Sequence, residues 1–515
     1  MSVTATPGEG EVRVFADYDG DFVEEADVVV VGSGPTGAVV THELARAGRK
    51  VVLLEEGPPF TPDDFVLEGA ASMARTMREG GLRATRGYVM PTMQPIALGG
   101  GSLVNSAICP RAPAKVLDDW CTRFDLSRTH LADLDPHYDA VADFLGIAPT
   151  PDDVQGPRNL RFRDGCKELG YSSEPIPRNV RGCRGSGECF TGCRNRAKQS
   201  MDVSYIPAAI ALGARVLTSV RVVKVETNGR RAEAVVGRVV EPFTGKLGAR
   251  FRVNARMVVL AAGCVATPVI LHKSGNLANR SGQVGENLQF HPGVAITGVF
   301  PERTHPQFGA TQGYQSLQFI EQGFKLETLW APPAVLAVRT PGFGYELKKR
   351  LAEVPYSATW DAITSCHNSL GKVVPRRRSM DPVLKYHLHD DDVKIMQHAF
   401  WVLAEIFFAA GARKIQTGIH GLAEEMNSLQ EAEAIRKTKM RATDIVTGGN
   451  HVFCTTRMHG DPTKGVVDED GQCHDLENLY IADTGIFPRC SAVNPMFTGM
   501  ALAHRQAGVI EDRLP

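Results

Sequence analysis

The chain has 515 residues, with 57 Lys and Arg against 58 Asp and Glu and a formal net charge of -1. This balance excludes a dedicated nucleic-acid binder, and 43% hydrophobic residues at this length allow a core shared by two or three domains. Eleven cysteines, an odd number with three crowded between Cys183 and Cys193, exclude a secreted disulfide framework; reduced thiols and a metal site fit better. The polar stretch 1–20 has neither an apolar run nor a twin-arginine pair, so no signal peptide is read and a cytoplasmic location is expected.

In chain order, the first strong element is the β-branched run 27–31, a strand buried on both faces. A glycine turn, a helical stretch through Ala47, a break at Gly48 and a strand over 50–54 complete a βαβ unit. Gly32, Gly34 and Gly37 form GxGxxG between that first strand and the helix. The turn needs the first glycine, approach of a pyrophosphate needs the second, and packing of helix on sheet needs the third. The helix N-terminus adds unpaired N–H groups and a positive dipole end. Glu55 follows Gly37 by 18 residues, where a carboxylate accepts hydrogen bonds from an adenosine ribose and repels a 2′-phosphate. By itself the motif leaves FAD and NAD both open.

A loop-rich region, PTMQPIALGGGSLVNSAICPR, comes next; its three successive glycines let backbone approach a flat ligand. Residues 110–200 read as short helices and irregular loops, 214–225 and 251–260 as strands, and AAGCVATPVILHKSG as a strand end turning into a helix. Strand candidates at 324–328 and 334–339 follow among Pro and Gly breaks. The apolar stretch 395–412 carries Gln397, His398 and Glu405, with Asp390, Asp391 and Asp392 available as N-cap. It reads as a buried helix and not as a membrane span, with docking on a membrane or partner as the alternative.

Taken in order, LGGGSLVNSA, VLAAGCVATPVILHKSG, HVFCTTRMHGDP and NLYIADTGIFPRCSAVNPMFTGMALAHR resemble the glucose–methanol–choline (GMC) oxidoreductases over nearly the whole chain. The resemblance implies an α/β fold. A Rossmann-like FAD-binding domain would be built from the discontinuous segments 20–110, 200–293 and 447–515, with a cap or linker over 111–199 and an antiparallel-sheet substrate domain over 294–446. It also implies FAD as cofactor. Gly100, Gly101, Ser102 and Asn105 would then lie by the isoalloxazine, Val222 by the adenine and Asp483 near the ribityl–phosphate chain.

Oxidising an alcohol requires a base for the hydroxyl proton and a second polar group that holds the same oxygen. His451 and Asn494 match the family's His and its His-or-Asn partner, which implies His451 as base and Asn494 as orienting donor. Two departures stand out. Cys454 occupies a position that is usually glycine, and His459 intrudes in RMHG as a candidate substitute base.

Cys183, Cys189 and Cys193 are spaced C-x5-C-x3-C among glycines, with Arg178, Arg181, Arg184, Arg194, Arg196 and Lys198 around them. Three thiolates suffice for a three-iron cluster, whereas structural zinc wants a fourth ligand; a glycine-rich loop with reduced thiols is the bland alternative. The spacing resembles that of FAD-dependent sugar dehydrogenases, whose cysteines hold a [3Fe-4S] cluster. The ensuing CRNRAKQSM looks more like long-chain alcohol and sterol oxidases. The expectation is therefore an FAD-dependent alcohol dehydrogenase passing electrons through a [3Fe-4S] cluster to an external acceptor, a redox protein or a quinone. An oxidase that uses O₂ directly, a sugar dehydrogenase and an electron-relay flavoprotein are the alternatives. Phe324, Leu326, Leu329, Trp330, Phe400 and Trp401 tilt the substrate towards a bulky hydrophobic alcohol, with a place in the core as the alternative. No transmembrane segment and no nucleic-acid partner are expected, and association with a membrane surface stays open.

Overall fold

Parallel pairing of two valine-rich strands organises the larger sheet. The strand Phe22–Val31 lies between Val51–Leu54 and Leu247–Leu260, parallel to both, and Val28, Val29 and Val30 are fully buried. The computed structural model describes residues 11–337 and 340–514, without side-chain placement at 334 and 335. Residues 1–10 of the stretch read as free of a leader, and positions 338–339 of a strand candidate, lie outside the described residues.

The sheet runs in the order Val12–Arg13, Arg215–Leu217, Val51–Leu54, Phe22–Val31, Leu247–Leu260, Arg231–Val240 and Val220–Asn228. Leu479–Ile481 pairs in parallel with the end of Leu247–Leu260. The helix Pro35–Arg46 returns over this sheet and packs against both Tyr205–Ala211 and the C-terminal helix Met496–Arg513. The start and the end of the chain are thus locked in one layer, and the apolar residues of all these elements form a single core.

A second sheet of six antiparallel strands follows the order Lys414–Gln416, Gly293–Val299, Ser357–Thr364, Phe324–Leu329, Tyr314–Ser316 and Glu174–Pro175. The helix Asp390–Ala409 lies on it through Met396, Leu403, Ile406 and Phe407, all buried. This explains the apolar stretch: it is a core helix, and no helix among the described residues is long and apolar enough to cross a membrane. Its N-cap is His389, whose ring accepts from the Asp391 N–H. The three aspartates sit in the first turn, where negative charge meets the positive end of the helix dipole.

Other sequence expectations need correction. Residues 110–200 hold three substantial helices, Ala114–Phe124, Leu131–Leu145 and Gly156–Glu168, and not short ones. The strand expected over 214–225 is two, broken where Ser219 takes φ +60°. Pro333–Ala337 is helical, with Pro at the first helical position, where its fixed φ favours a helix start.

Trp360 anchors the second sheet. Its ring stacks on Phe407 at 3.8 Å between centroids, meets Phe162 edge-on at 5.3 Å and donates its N–H to the Arg158 carbonyl at 3.2 Å. Trp360→Ala should lower the unfolding free energy by about 3–5 kcal/mol, because cavity and transfer costs add. Guanidinium titration checks this; a loss below about 1 kcal/mol would show that the stack carries no such weight.

Candidate active site

The glycines of the turn fall into two groups. A Cβ on Gly32 would lie 2.3 Å from the Ala261 carbonyl oxygen, and one on Gly37 would lie 2.0 Å from the Gly32 oxygen. These two are needed for packing, and Gly32 also adopts φ +106°. Gly34 has nothing within 4 Å of its would-be Cβ, and neither has Gly101 in the second glycine loop. Both therefore face unfilled space at the N-terminal end of the helix Pro35–Arg46, with Gly100 closing against Gly34. Such a concave backbone, open beside a helix N-terminus, suits a pyrophosphate.

Glu55 lies at the end of Val51–Leu54 and is nearly buried. Its carboxylate accepts from the Ser33 N–H (3.0 Å), the Ser33 hydroxyl (2.6 Å) and the Gly57 N–H (2.7 Å). Three of roughly four acceptor positions are thus used, which leaves room for one ribose hydroxyl. Burial pushes the Glu55 carboxyl above the usual range despite these donors. The Ser33 hydroxyl also accepts from the Gly99 N–H at 2.9 Å, tying the turn to the second glycine loop.

Ser102 is fully committed to that loop. Its hydroxyl donates to the Gly99 carbonyl (2.6 Å) and accepts from the Met201 N–H (3.0 Å). Asn105 accepts from the Ala107 N–H at 3.0 Å, and its Nδ2 reaches Met496 Sδ at 3.0 Å, at the start of the C-terminal helix. Val222 is buried on the edge strand Val220–Asn228. Asp483 accepts from the Gly263 N–H, the Thr267 hydroxyl and the Gly485 N–H, at 3.0, 2.5 and 2.8 Å. Its carboxyl is raised to about 6 by burial.

The strand register delivers the proposed base. Val452–Phe453 pairs antiparallel with Gln289–Phe290, Phe290 facing Val452, so the next residues along this ladder, His291 and His451, meet. Their Nδ1 atoms are 3.3 Å apart and their rings are edge-on at 5.4 Å. His291 is buried, and its Nε2 has no hydrogen-bond partner among the described residues. His451 is half-buried. Burial lowers the His451 pKa to about 4 and holds His291 well below its usual value. Both rings are therefore neutral near pH 7.

Asn494 lies just before the helix Met496–Arg513 and is buried. Two residues of the second sheet that sequence reasoning did not single out hold it. Lys325 Nζ donates to Asn494 Oδ1 at 2.6 Å and to Glu327 Oε2 at 2.8 Å, while Asn494 Nδ2 lies 3.5 Å from Glu327 Oε1. Lys325 is 0% and Glu327 2% exposed at their side chains. Both charges lie close enough to act on His451. His451, Asn494, His291, Lys325 and Glu327 thus form one polar cluster drawn from four chain segments. A signal existed: FKLETL alternates apolar residues with a Lys and a Glu two apart, which puts both charges on one face of a strand.

Cys454 retains φ +74°, the left-handed conformation that favours glycine, which accounts for the usual residue there. His459 does not join the cluster. Its Nδ1 accepts from the Asp461 N–H at 2.9 Å and its ring lies against Phe124. The apolar residues expected at a substrate wall are mostly core: Phe324 stacks on Phe319, and Phe400 and Trp401 are buried residues of the helix Asp390–Ala409.

Cys183, Cys189 and Cys193 line one small pocket with Arg178 and Lys198. Among the described residues no three His, Cys, Asp or Glu side chains are grouped to hold a metal ion. The three thiols share one pocket wall, and no step is routed through a cluster there. Of the six basic residues around the segment, Arg178 donates to Cys189 Sγ at 3.2 Å. Lys198 donates to the carbonyls of Leu103, Asn105 and Cys189 at 2.7, 2.8 and 3.0 Å. Burial works to raise the Cys189 thiol, yet Arg178 and Lys198 hold it below its usual value. Arg181 and Arg194 turn away to Phe144 and Glu188.

The description "GMC oxidoreductase" matches residues 27–293 with its N-terminal part and 372–503 with its C-terminal part. The chain belongs to the GMC oxidoreductases. It is 32% identical over 504 residues to an uncharacterized GMC-type oxidoreductase of Mycobacterium tuberculosis, covering 96% of this chain and 77% of the relative. It is 29% identical over 548 residues to the long-chain-alcohol oxidase FAO4B of Arabidopsis thaliana, covering 100% and 71%. Its fold is that of the crystal structure of pyridoxine 4-oxidase from Mesorbium loti, with a TM-score of 0.70 at 18% identity over 95% of this chain and 99% of the other. As a GMC oxidoreductase the chain is an FAD enzyme, and the open glycine backbone with Glu55 fits that dinucleotide.

The two glycine groups make separable predictions. Gly37→Ala should destabilise the apoprotein by several kcal/mol, since backbone must move. Gly34→Ala, at φ -60° with free space, should fold normally but bind FAD weakly. Thermal melts of apoprotein paired with flavin titration distinguish them; equal flavin affinity in Gly34→Ala and the native chain would refute the assignment of that space.

Proposed function

We propose that this enzyme oxidises a hydrophobic alcohol to the aldehyde or ketone at the site formed by His451 and Asn494. The observation that carries this reading is geometric: His451 is tied to His291 through Nδ1 at 3.3 Å, and the Asn494 amide is held by Lys325 at 2.6 Å. Bound FAD supplies a hydride acceptor for the carbinol carbon. The remaining work belongs to the chain. A base requires a free lone pair on His451, and its Nδ1 is engaged by His291. In the productive tautomer His451 donates from Nδ1 to His291 Nδ1, which leaves Nε2 to take the hydroxyl proton. Asn494, with Oδ1 occupied by Lys325, presents Nδ2 to the developing negative oxygen.

In this reading the segments 20–110, 200–293 and 447–515 form the FAD domain, and 294–446 the substrate domain. Gly34 takes the pyrophosphate in the turn that Gly32 and Gly37 allow to pack, Glu55 takes the ribose and Val222 the adenine. Gly100, Gly101, Ser102 and Asn105 border the isoalloxazine, and Asp483 the ribityl–phosphate chain. The hydrophobic substrate class is supported by the long-chain-alcohol oxidases among the relatives and no longer by the residues found in the core. Electrons leave to dioxygen or to an external acceptor, with passage through a [3Fe-4S] cluster on Cys183, Cys189 and Cys193 as the alternative. The cysteine segment acts here as a brace, through Lys198, for the loop beside the flavin. Protein purified without air should show a flavin spectrum with no stoichiometric iron or sulfide; finding both would restore the cluster route.

His451→Ala should slow flavin reduction by 1-decanol about 100- to 10,000-fold with flavin still bound. Because burial lowers its pKa to about 4, the base is neutral above that value and is lost only as pH falls through it. The rate constant for reduction should therefore stay level from pH 8 down to about 5 and decline below. A decline centred near the ordinary histidine value, about 6.5, would contradict the assigned environment.

A further inference from the structure

Asn494 can serve the reaction only if its amide is turned the right way. An oxygen aimed at the substrate would repel the developing alkoxide, whereas the NH₂ group would stabilise it. Nothing within the segment that carries Asn494 sets this choice. Across from it, however, the strand Phe324–Leu329 presents Lys325 and Glu327 on one face. Lys325 has three donors and no acceptor, so its 2.6 Å contact can only be to an amide oxygen. Glu327, as an acceptor, lies on the nitrogen side of the same amide.

We infer that Lys325, backed by Glu327, is a positioning residue that fixes the Asn494 amide with Nδ2 toward the reacting oxygen. A buried lysine–glutamate pair gains little net stability over an apolar pair of the same volume. Its placement serves orientation: Glu327 keeps the lysine charge balanced at 2.8 Å, and Lys325 spends one of its protons on Asn494. The pair comes from the second sheet and Asn494 from the C-terminal segment, so the amide is set only when the two parts of the chain are assembled.

This inference rests on the role proposed for Asn494, and the test separates the two. Flavin reduction by 1-decanol is followed without oxygen in Asn494→Ala, Lys325→Met and the double variant. In parallel, binding of 2-decanone, whose oxygen can only accept, is measured by its perturbation of the flavin spectrum. Asn494→Ala should slow reduction about 100-fold, and Lys325→Met by a similar factor, with flavin content unchanged. Combined, they should cost no more than Asn494→Ala alone, because the lysine acts through the amide. Lys325→Met should also weaken 2-decanone binding, but not in the Asn494→Ala background. Lys325→Gln with Glu327→Gln retains a donor without leaving a lone buried charge, so it should recover most of the rate even if Lys325→Met folds poorly. An unimpaired Asn494→Ala would sink the functional reading itself. A slow Asn494→Ala with a normal Lys325→Met, or losses that add in the double variant, would overturn the positioning role alone.

Discussion

The structure depends on the parallel ladder between Val28–Val31 and Met257–Leu260, because it sets where two distant turns end. Both strands finish at the same height, so Gly32 packs directly on Ala261, with no room for a side chain. Leu479–Ile481 then joins the far side of Leu247–Leu260, and Asp483, just beyond it, binds the Gly263 N–H. Three strand ends from three parts of the chain thus open onto one crevice. Ligands in parallel sheets sit at such carboxyl ends.

The proposed catalytic cluster follows from two further registers. The short antiparallel pair Gln289–Phe290 and Val452–Phe453 brings His291 to His451, and the alternation of Phe324–Leu329 brings Lys325 and Glu327 to Asn494. Each presumed working group is therefore paired with a partner from another segment. For Asn494 the partner determines the form, an amide with its oxygen engaged, and for His451 it engages one ring nitrogen. Without Lys325 the amide orientation would be undetermined, and a mixture of orientations would leave much of the enzyme in a state unable to react.

The cofactor layer was largely legible because its constraints are local. A tight turn, a close approach and a helix start within six residues each demand a particular residue type, and GxGxxG shows all three. Glu55 and the helix 395–412 were readable for the same reason, from spacing and from apolar length. Lys325, Glu327 and His291 were missed because their meaning is non-local: a lysine and a glutamate in a strand read as a solvated face until the sheet buries them. The cysteine segment is legible only in part. Its spacing suits a cluster, but spacing does not determine where thiols point, and the fold adds Arg178 on the Cys189 sulfur and Lys198 on its carbonyl. Likewise, the aromatic residues near 324 and 400 carry no label that separates a substrate wall from a core.

Hydride removal from an alcohol carbon is the claim on which the functional account stands. It is tested most directly by anaerobic stopped-flow reduction of the bound flavin with 1-decanol and with the same alcohol deuterated at the carbinol carbon. The account expects flavin bleaching in a single turnover and a slower reaction with the deuterated alcohol. Bleaching that is indifferent to the deuterium, or none with any alcohol offered, would contradict it.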